Sequence, residues 1–411
     1  MALVKLIFSS FAQAITSLFF IGIVMVAYLY IQRNARLEES WLGVLRNPVS
    51  TQLADVVLYG MLVGLMASVL IVLIGIAIDY NAILFIWPLA LFLMLFNQRY
   101  ICFSYAGGIV SLVSLLTGWP KIDVSSLIAL VGILHLMESL LIILDGYKDS
   151  LPVWIEHRMF KPVGAYLMQK VWPIPLVVLV IPEAGASLAS GGGVAMPDWW
   201  PLFKPQNMAQ VFALLPIVAV LGYGDIAITQ LPNERTRESG FWLGVYSTSI
   251  LIMAVVSSRV YWVKYVAAVS APLFHELLII LSKRGQMRGK PAFAVPWRGL
   301  RVLEVLPESP AQKMGVQRGD ILLRLNGRDI NSEDMLHEVL SQCMYFIWAE
   351  VKRKDKVITL EYRDYQDPIE DLGIIFVPRT TGRYFRVDEQ KGIIFRLWKR
   401  IRHNLKEAQG Q

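Results

Sequence analysis

The chain has 411 residues, of which 55% are hydrophobic and only 17% charged, and its formal net charge is +7. With a mean hydropathy of +0.50, this composition excludes a soluble single domain and indicates an integral membrane protein. Its two cysteines exclude a disulfide framework, so no oxidising compartment is implied.

Nine apolar runs read as candidate spans, at residues 6–31, 55–78, 83–96, 100–117, 124–144, 171–188, 209–229, 241–257 and 260–281. The first follows Lys5 and lacks a small-residue cleavage site, so it reads as a retained anchor. The third is short for a hydrocarbon core of about 30 Å. The sixth carries Pro173, Pro175, Pro182 and Glu183, which suit a broken or re-entrant helix. The expected architecture over residues 1–282 is an α-helical polytopic membrane bundle of about 8–9 spans.

Basic residues set its orientation. With the N-terminus outside, the inner loops carry Arg33, Arg36, Arg46, Arg99, Lys148, Arg158, Lys161, Lys170, Arg235 and Arg237. The outer loops hold Lys121, Lys204 and Arg259, and the segment from Gly191-Gly192-Gly193 to Trp199-Trp200. The C-terminal third then lies in the cytoplasm.

Ionisable groups inside the spans are functional hypotheses by default. His135 and Glu138 lie one helical turn apart, as interhelical polar packing or as a proton or metal site, although two ligands do not make a metal centre. Asp145 and Glu183, near span ends, are expected to be solvated. Gly222-Tyr223-Gly224-Asp225 copies the end of a potassium-channel filter. No threonine precedes it, and it reads as the loosened end of an apolar span. His275-Glu276 begins a zincin-like HExxH, but Ile279 stands where the second imidazole is needed. The expectation is a polar cluster near the cytoplasmic end of the last span, with no metal, cofactor or catalytic residue assigned.

From Trp297 to Pro378 the pattern becomes that of a small β-rich α+β domain, bounded at 295–378. Strands are predicted at Leu300–Leu306, Ile321–Leu325, Phe346–Lys352 and Val357–Tyr362, with tight turns at Gly315, Gly319 and Asn326-Gly327. Ser332 caps a helix whose first turn is acidic through Glu333 and Asp334. Leu336, Val339 and Cys343 form its core stripe, with Glu333, His337 and Leu340 on the neighbouring face.

The run Ser309-Pro310-Ala311-Gln312-Lys313-Met314-Gly315 resembles the PDZ domains of bacterial membrane proteins, site-2 type proteases among them. In those domains the carboxylate-binding loop comes last. The resemblance implies that Leu372, Gly373, Ile374, Ile375 and Phe376 form the peptide-binding loop and strand, with His337 and Leu340 opposite. Such a loop offers backbone N–H groups to a terminal carboxylate, and its strand pairs with the incoming peptide. The plain alternative is a closing strand.

With Pro175–Pro182 and Trp200–Phe203 upstream, the whole layout resembles the MinJ family of cell-division topological determinants. That resemblance implies a non-enzymatic adaptor in the cell membrane, enriched at septum and poles. It would bridge the coiled-coil protein DivIVA and the membrane-associated ATPase MinD. A site-2-like membrane metalloprotease or degenerate relative, and a transporter or channel using His135, Glu138 and Asp225, stay open as other classes.

The tail from Lys391 to Lys406 places Ile394, Leu397, Ile401 and Leu405 at helical spacing. A basic amphipathic helix is expected over 390–406. Trp398, Lys399, Arg400 and Arg402 would then meet the anionic inner leaflet, a partner, or the PDZ domain itself. No motif accompanies the charge to indicate nucleic acid.

Overall fold

The two proline-bearing runs that read as the sixth and seventh spans are strands. They appear in a computed structural model that describes residues 2–157, 162–181, 194–195, 202, 211–342, 344–364, 366–381 and 384–385. The chain begins with α1 (Ala2–Thr16), α2 (Leu18–Leu42), α3 (Val49–Ile74) and the short strand β1 (Ala77–Asp79). Helices α4 (Tyr80–Phe96) and α5 (Phe103–Thr117) are joined through a 3-10 turn at Gln98–Ile101, and α6 (Val124–Asp145) follows. Next come β2 (Leu151–Ile155), β3 (Val163–Ile181), β4 (Val194–Ala195) and β5 (Val211–Ala227), then α7 (Pro232–Ser257) and α8 (Val263–Arg288). The C-terminal unit contains β6 (Phe293–Ala294), β7 (Leu300–Val305), α9 (Pro310–Met314), β8 (Ile321–Leu325) and β9 (Arg328–Asp329). It closes with α10 (Glu333–Leu340), β10 (Phe346–Arg353), β11 (Lys356–Arg363) and β12 (Ile374–Phe376).

Among the described residues five helices, α2, α3, α6, α7 and α8, are long and apolar enough to cross a membrane. With 17 and 15 residues, α4 and α5 reach only about 25 and 22 Å at 1.5 Å per residue, less than a core of about 30 Å. Where they are described, at 171–181 and 211–229, the expected spans 171–188 and 209–229 give way to β3 and β5, which pair antiparallel from Tyr166–Ala227 to Val180–Ala213. Pro173, Pro175 and Pro216 break helical hydrogen bonding. In β3, burial of both strand faces produces the continuous apolar run that imitates a helix. The filter-like Gly222–Asp225 segment is part of β5; its Asp225 is ion-paired with Arg235.

A strand at membrane depth needs protein around it and partners for its polar edge. The stretch of β3 running past α3 has both. The Val177 N–H donates to Ser68 Oγ at 2.9 Å, which shows that the edge of this residue points toward α3. Pro173 and Pro175 share its parity in the strand and bring no N–H to that edge. Their carbonyls abut Gly60 and Gly64 of α3, where an added Cβ would overlap Pro173 O and Pro175 O.

A polar layer closes the end of the bundle nearest the C-terminal unit. Asp145, expected to be solvated, is fully buried: Trp172 Nε1–H donates to it at 2.8 Å, and Lys170 Nζ lies 3.5 Å away. Lys170 also reaches Asp149 at 2.8 Å. Burial alone would raise the Asp149 carboxyl, but Lys170 with Asn47 and Arg46 holds it below the usual carboxylate range. A carboxyl lowered on folding contributes stability that is present above its unfolded value of about 3.9 and is lost as pH falls through the folded one. Thermal unfolding of the solubilised chain is expected to come earlier below about pH 4. Asp149→Asn should make that acid-induced drop smaller.

Candidate peptide-recognition site

The C-terminal sheet runs β11-β10-β8-β7-β12, with β9 paired to β8. Its strands follow the alternation read from the sequence, and Ser332 caps α10 as expected. Leu300, Val302, Leu322, Leu325, Ile347, Ala349 and Val351 form its core with Leu336, Val339 and Leu340 of α10. The last strand, β12, lies at the edge, antiparallel to β7.

The loop leading into β12 is fixed by backbone bonds. Leu306 N–H donates to the Gly373 carbonyl at 2.8 Å, and Ala311 N–H donates to the Leu372 carbonyl at 3.0 Å. The Gly373 N–H donates to Asp371 Oδ1 at 3.1 Å. Gly373 has φ +66°, and an added Cβ would overlap Ser309 Cβ, so this corner requires glycine.

The bonds from Leu306 to Gly373 and from Val377 to Arg301 turn alternate residues of the strand toward β7. Ile374 and Phe376 therefore present their peptide groups to the opposite edge. At Phe376 that edge is occupied, because Trp154 Nε1–H of β2 donates to its carbonyl at 3.1 Å. Among the described residues, Ile374 is the position left for strand addition.

The expected site residues thus divide. Leu372, Phe376 and Leu340 are at most 4% exposed and belong to the core rather than to an open wall. Ile374 is half-buried against the same core. Ile375 points the other way and packs in the cluster of Tyr166, Phe293 and Leu303, toward the membrane half. His337 is exposed on α10. The tail residues Trp398, Lys399, Arg400 and Arg402, together with Glu183, Trp199, Trp200 and Cys343, lie outside the described residues.

Several contacts hold this unit against the membrane half. Strand β6 pairs with β3 through Val163–Ala294 and Gly164–Phe293. Glu304, 1% exposed, accepts from Arg46 Nη1 at 2.8 Å and Arg318 Nε at 2.6 Å. Arg46 also pairs with Glu38 and donates to the Ser150 carbonyl at 2.6 Å. Tyr166 Oη donates to the Leu303 carbonyl. An acidic residue among buried positions of β7 was the one local signal of this contact.

Within the bundle, His275 and Glu276 join one polar cluster through Tyr105. The rings of His135 and His275 meet each other across α6 and α8 with centroids 5.0 Å apart, and Cys102 lies against both.

The PDZ domain family matches residues 301–343. Over 263 residues the chain is 23% identical to the cell division topological determinant MinJ of Bacillus subtilis, covering 63% of this chain and 62% of that protein. The match therefore spans less than two thirds of that relative. A probable cell division topological determinant MinJ of Lacticaseibacillus paracasei is 21% identical over 373 residues, 89% of this chain and 96% of that one. The solved PDZ domain of an SdrC-like protein from Listeria monocytogenes shares 20% identity over 20% of this chain and 92% of its own, with a TM-score of 0.18.

Proposed function

From this MinJ-like chain with its PDZ domain, we propose a non-enzymatic membrane-anchored adaptor that places the division-site machinery at septum and poles. The PDZ unit faces the cytoplasm. Arg46, Lys148, Lys170 and Arg235 gather at the bundle end that carries it, whereas Lys121 and Arg259 lie at the other, a distribution that supports this orientation. Its partners are a MinD-like ATPase and a DivIVA-like coiled coil. The tail over 390–406 adds a contact with the anionic inner leaflet through Trp398, Lys399, Arg400 and Arg402.

The observation that carries this reading is the open edge of β12 at Ile374, between the fixed Gly373 corner and the Trp154 contact. A partner segment adds there as a further strand, with main-chain bonds giving affinity. Anchoring confines the weak contact to the membrane plane, where effective concentration raises occupancy.

Ile374→Glu tests it, by placing a charge beside that edge, on the core-facing side of the strand, without altering the glycine corner. In titrations of the full chain in nanodiscs with each purified partner, binding of at least one is expected to weaken about tenfold or more, ~1.4 kcal/mol. Unchanged binding of both partners by a folded variant would rule out the edge as the binding surface.

A further inference from the structure

Three side chains from three helices converge inside the bundle: Cys102 at the N-cap of α5, His135 on α6 and His275 on α8. Their ligand atoms all lie within 4.8 Å of one another. The Cys102 sulfur is 2.9 Å from His135 Nε2 and 3.8 Å from His275 Nε2. A tetrahedral zinc ion, with bonds of about 2.3 Å to sulfur and 2.0–2.1 Å to nitrogen, sets its ligand atoms about 3.3–3.6 Å apart. The two sulfur–nitrogen distances bracket that separation.

The outer contacts fit the same role. His135 Nδ1–H donates to the Val131 carbonyl at 2.7 Å, which leaves the Nε2 lone pair facing Cys102. Tyr105 O–H donates to Glu276 Oε2 at 2.6 Å, so its oxygen accepts from His275 Nδ1–H, 3.3 Å away. The Nε2 of His275 is thereby also left as a lone pair aimed inward. Metal-binding histidines are held in this way, through a carbonyl or carboxylate on the far ring nitrogen. Arg99 in turn pairs with Glu276 Oε1 at 2.9 Å. Both oxygens of Glu276 are thus engaged.

The geometry points to a zinc site formed by Cys102, His135 and His275, which ties α5, α6 and α8 together. Bound to a thiolate and two neutral imidazoles, Zn²⁺ leaves one net positive charge, and Glu138, one turn along α6 from His135, is the carboxylate not already paired with an arginine that can offset it.

The test uses the full chain purified in detergent. Elemental analysis should find about one zinc per chain. Cobalt substitution should give a thiolate-to-cobalt charge-transfer band in wild type and in Cys343→Ser, and none in Cys102→Ser. Tyr105→Phe, which removes an outer contact while keeping all three ligands, should bind zinc about 10–100-fold more weakly at unchanged stoichiometry. Wild-type protein without zinc and without the cobalt band would overturn the assignment. Copper in place of zinc, or zinc content equal in wild type and Cys102→Ser, would overturn it as well.

Discussion

Arg46→Ala is expected to release the PDZ unit from the membrane-embedded sheet. The guanidinium is only 10% exposed and serves Glu38, Glu304 and the Ser150 carbonyl at once. Removing it leaves two carboxylates, 6% and 2% exposed, without the cation that joins them. Breaking a buried charge pair of this kind costs about 3–5 kcal/mol; Glu304 keeps Arg318 as a partner, which places the expected loss toward the lower figure. The variant should show faster proteolysis within residues 289–299 and a lower unfolding temperature in detergent. Arg298→Ala is the comparison, because its pair with Asp329 is about half exposed on both sides and solvent screening leaves it a minor contributor. Equal behaviour of the two variants would show that the ion pair does not hold the units together.

Gly64→Val is expected to separate α3 from β3. The first side-chain carbon already overlaps the Pro175 carbonyl, and the obstacle is backbone, which cannot turn aside as a side chain can. Overpacking typically costs about 1–3 kcal/mol, and an immovable neighbour sets this case at the upper end or beyond. Low recovery of folded protein from membranes is the readout. Gly22→Ala, on a helix face with nothing within 4 Å of the new carbon, should be recovered as wild type. Full recovery of Gly64→Val would mean that α3 and β3 do not pack this closely.

What the sequence made legible was local. Alternation in Leu300–Val305 and Phe346–Arg353, the Asn326-Gly327 turn and the Ser332 cap each act through neighbouring residues, and all form as read. Strand β3 was hidden because a strand buried on both faces loses its alternation, and β5 because its pairing partner is distant in sequence, the nearest pair being Val180 with Ala213. Their prolines were the remaining sign. A broken helix accounts for prolines equally well, and only the pairing with α3 shows why the donors are missing.

The buried groups were harder still. Asp145 sits at a helix end, where solvation is the ordinary expectation; Trp172 and Lys170 reach it from a strand that was read as a span. Cys102 lies 33 residues from His135 and 173 from His275. No spacing rule links three residues contributed by three separate helices. The PDZ edge shows the same limit in reverse: a closing strand is legible in the run from Leu372 to Phe376, where β12 forms, but which side chains turn into the core depends on β7 and on Trp154.

The most direct test follows a full-length fluorescent fusion in its native host, comparing wild type with Ile374→Glu at equal membrane levels. Wild type is predicted to concentrate at septa and poles, and the variant to spread evenly through the membrane with division sites misplaced. An evenly spread wild-type protein, or a variant that keeps both its septal enrichment and normal division, would contradict the account.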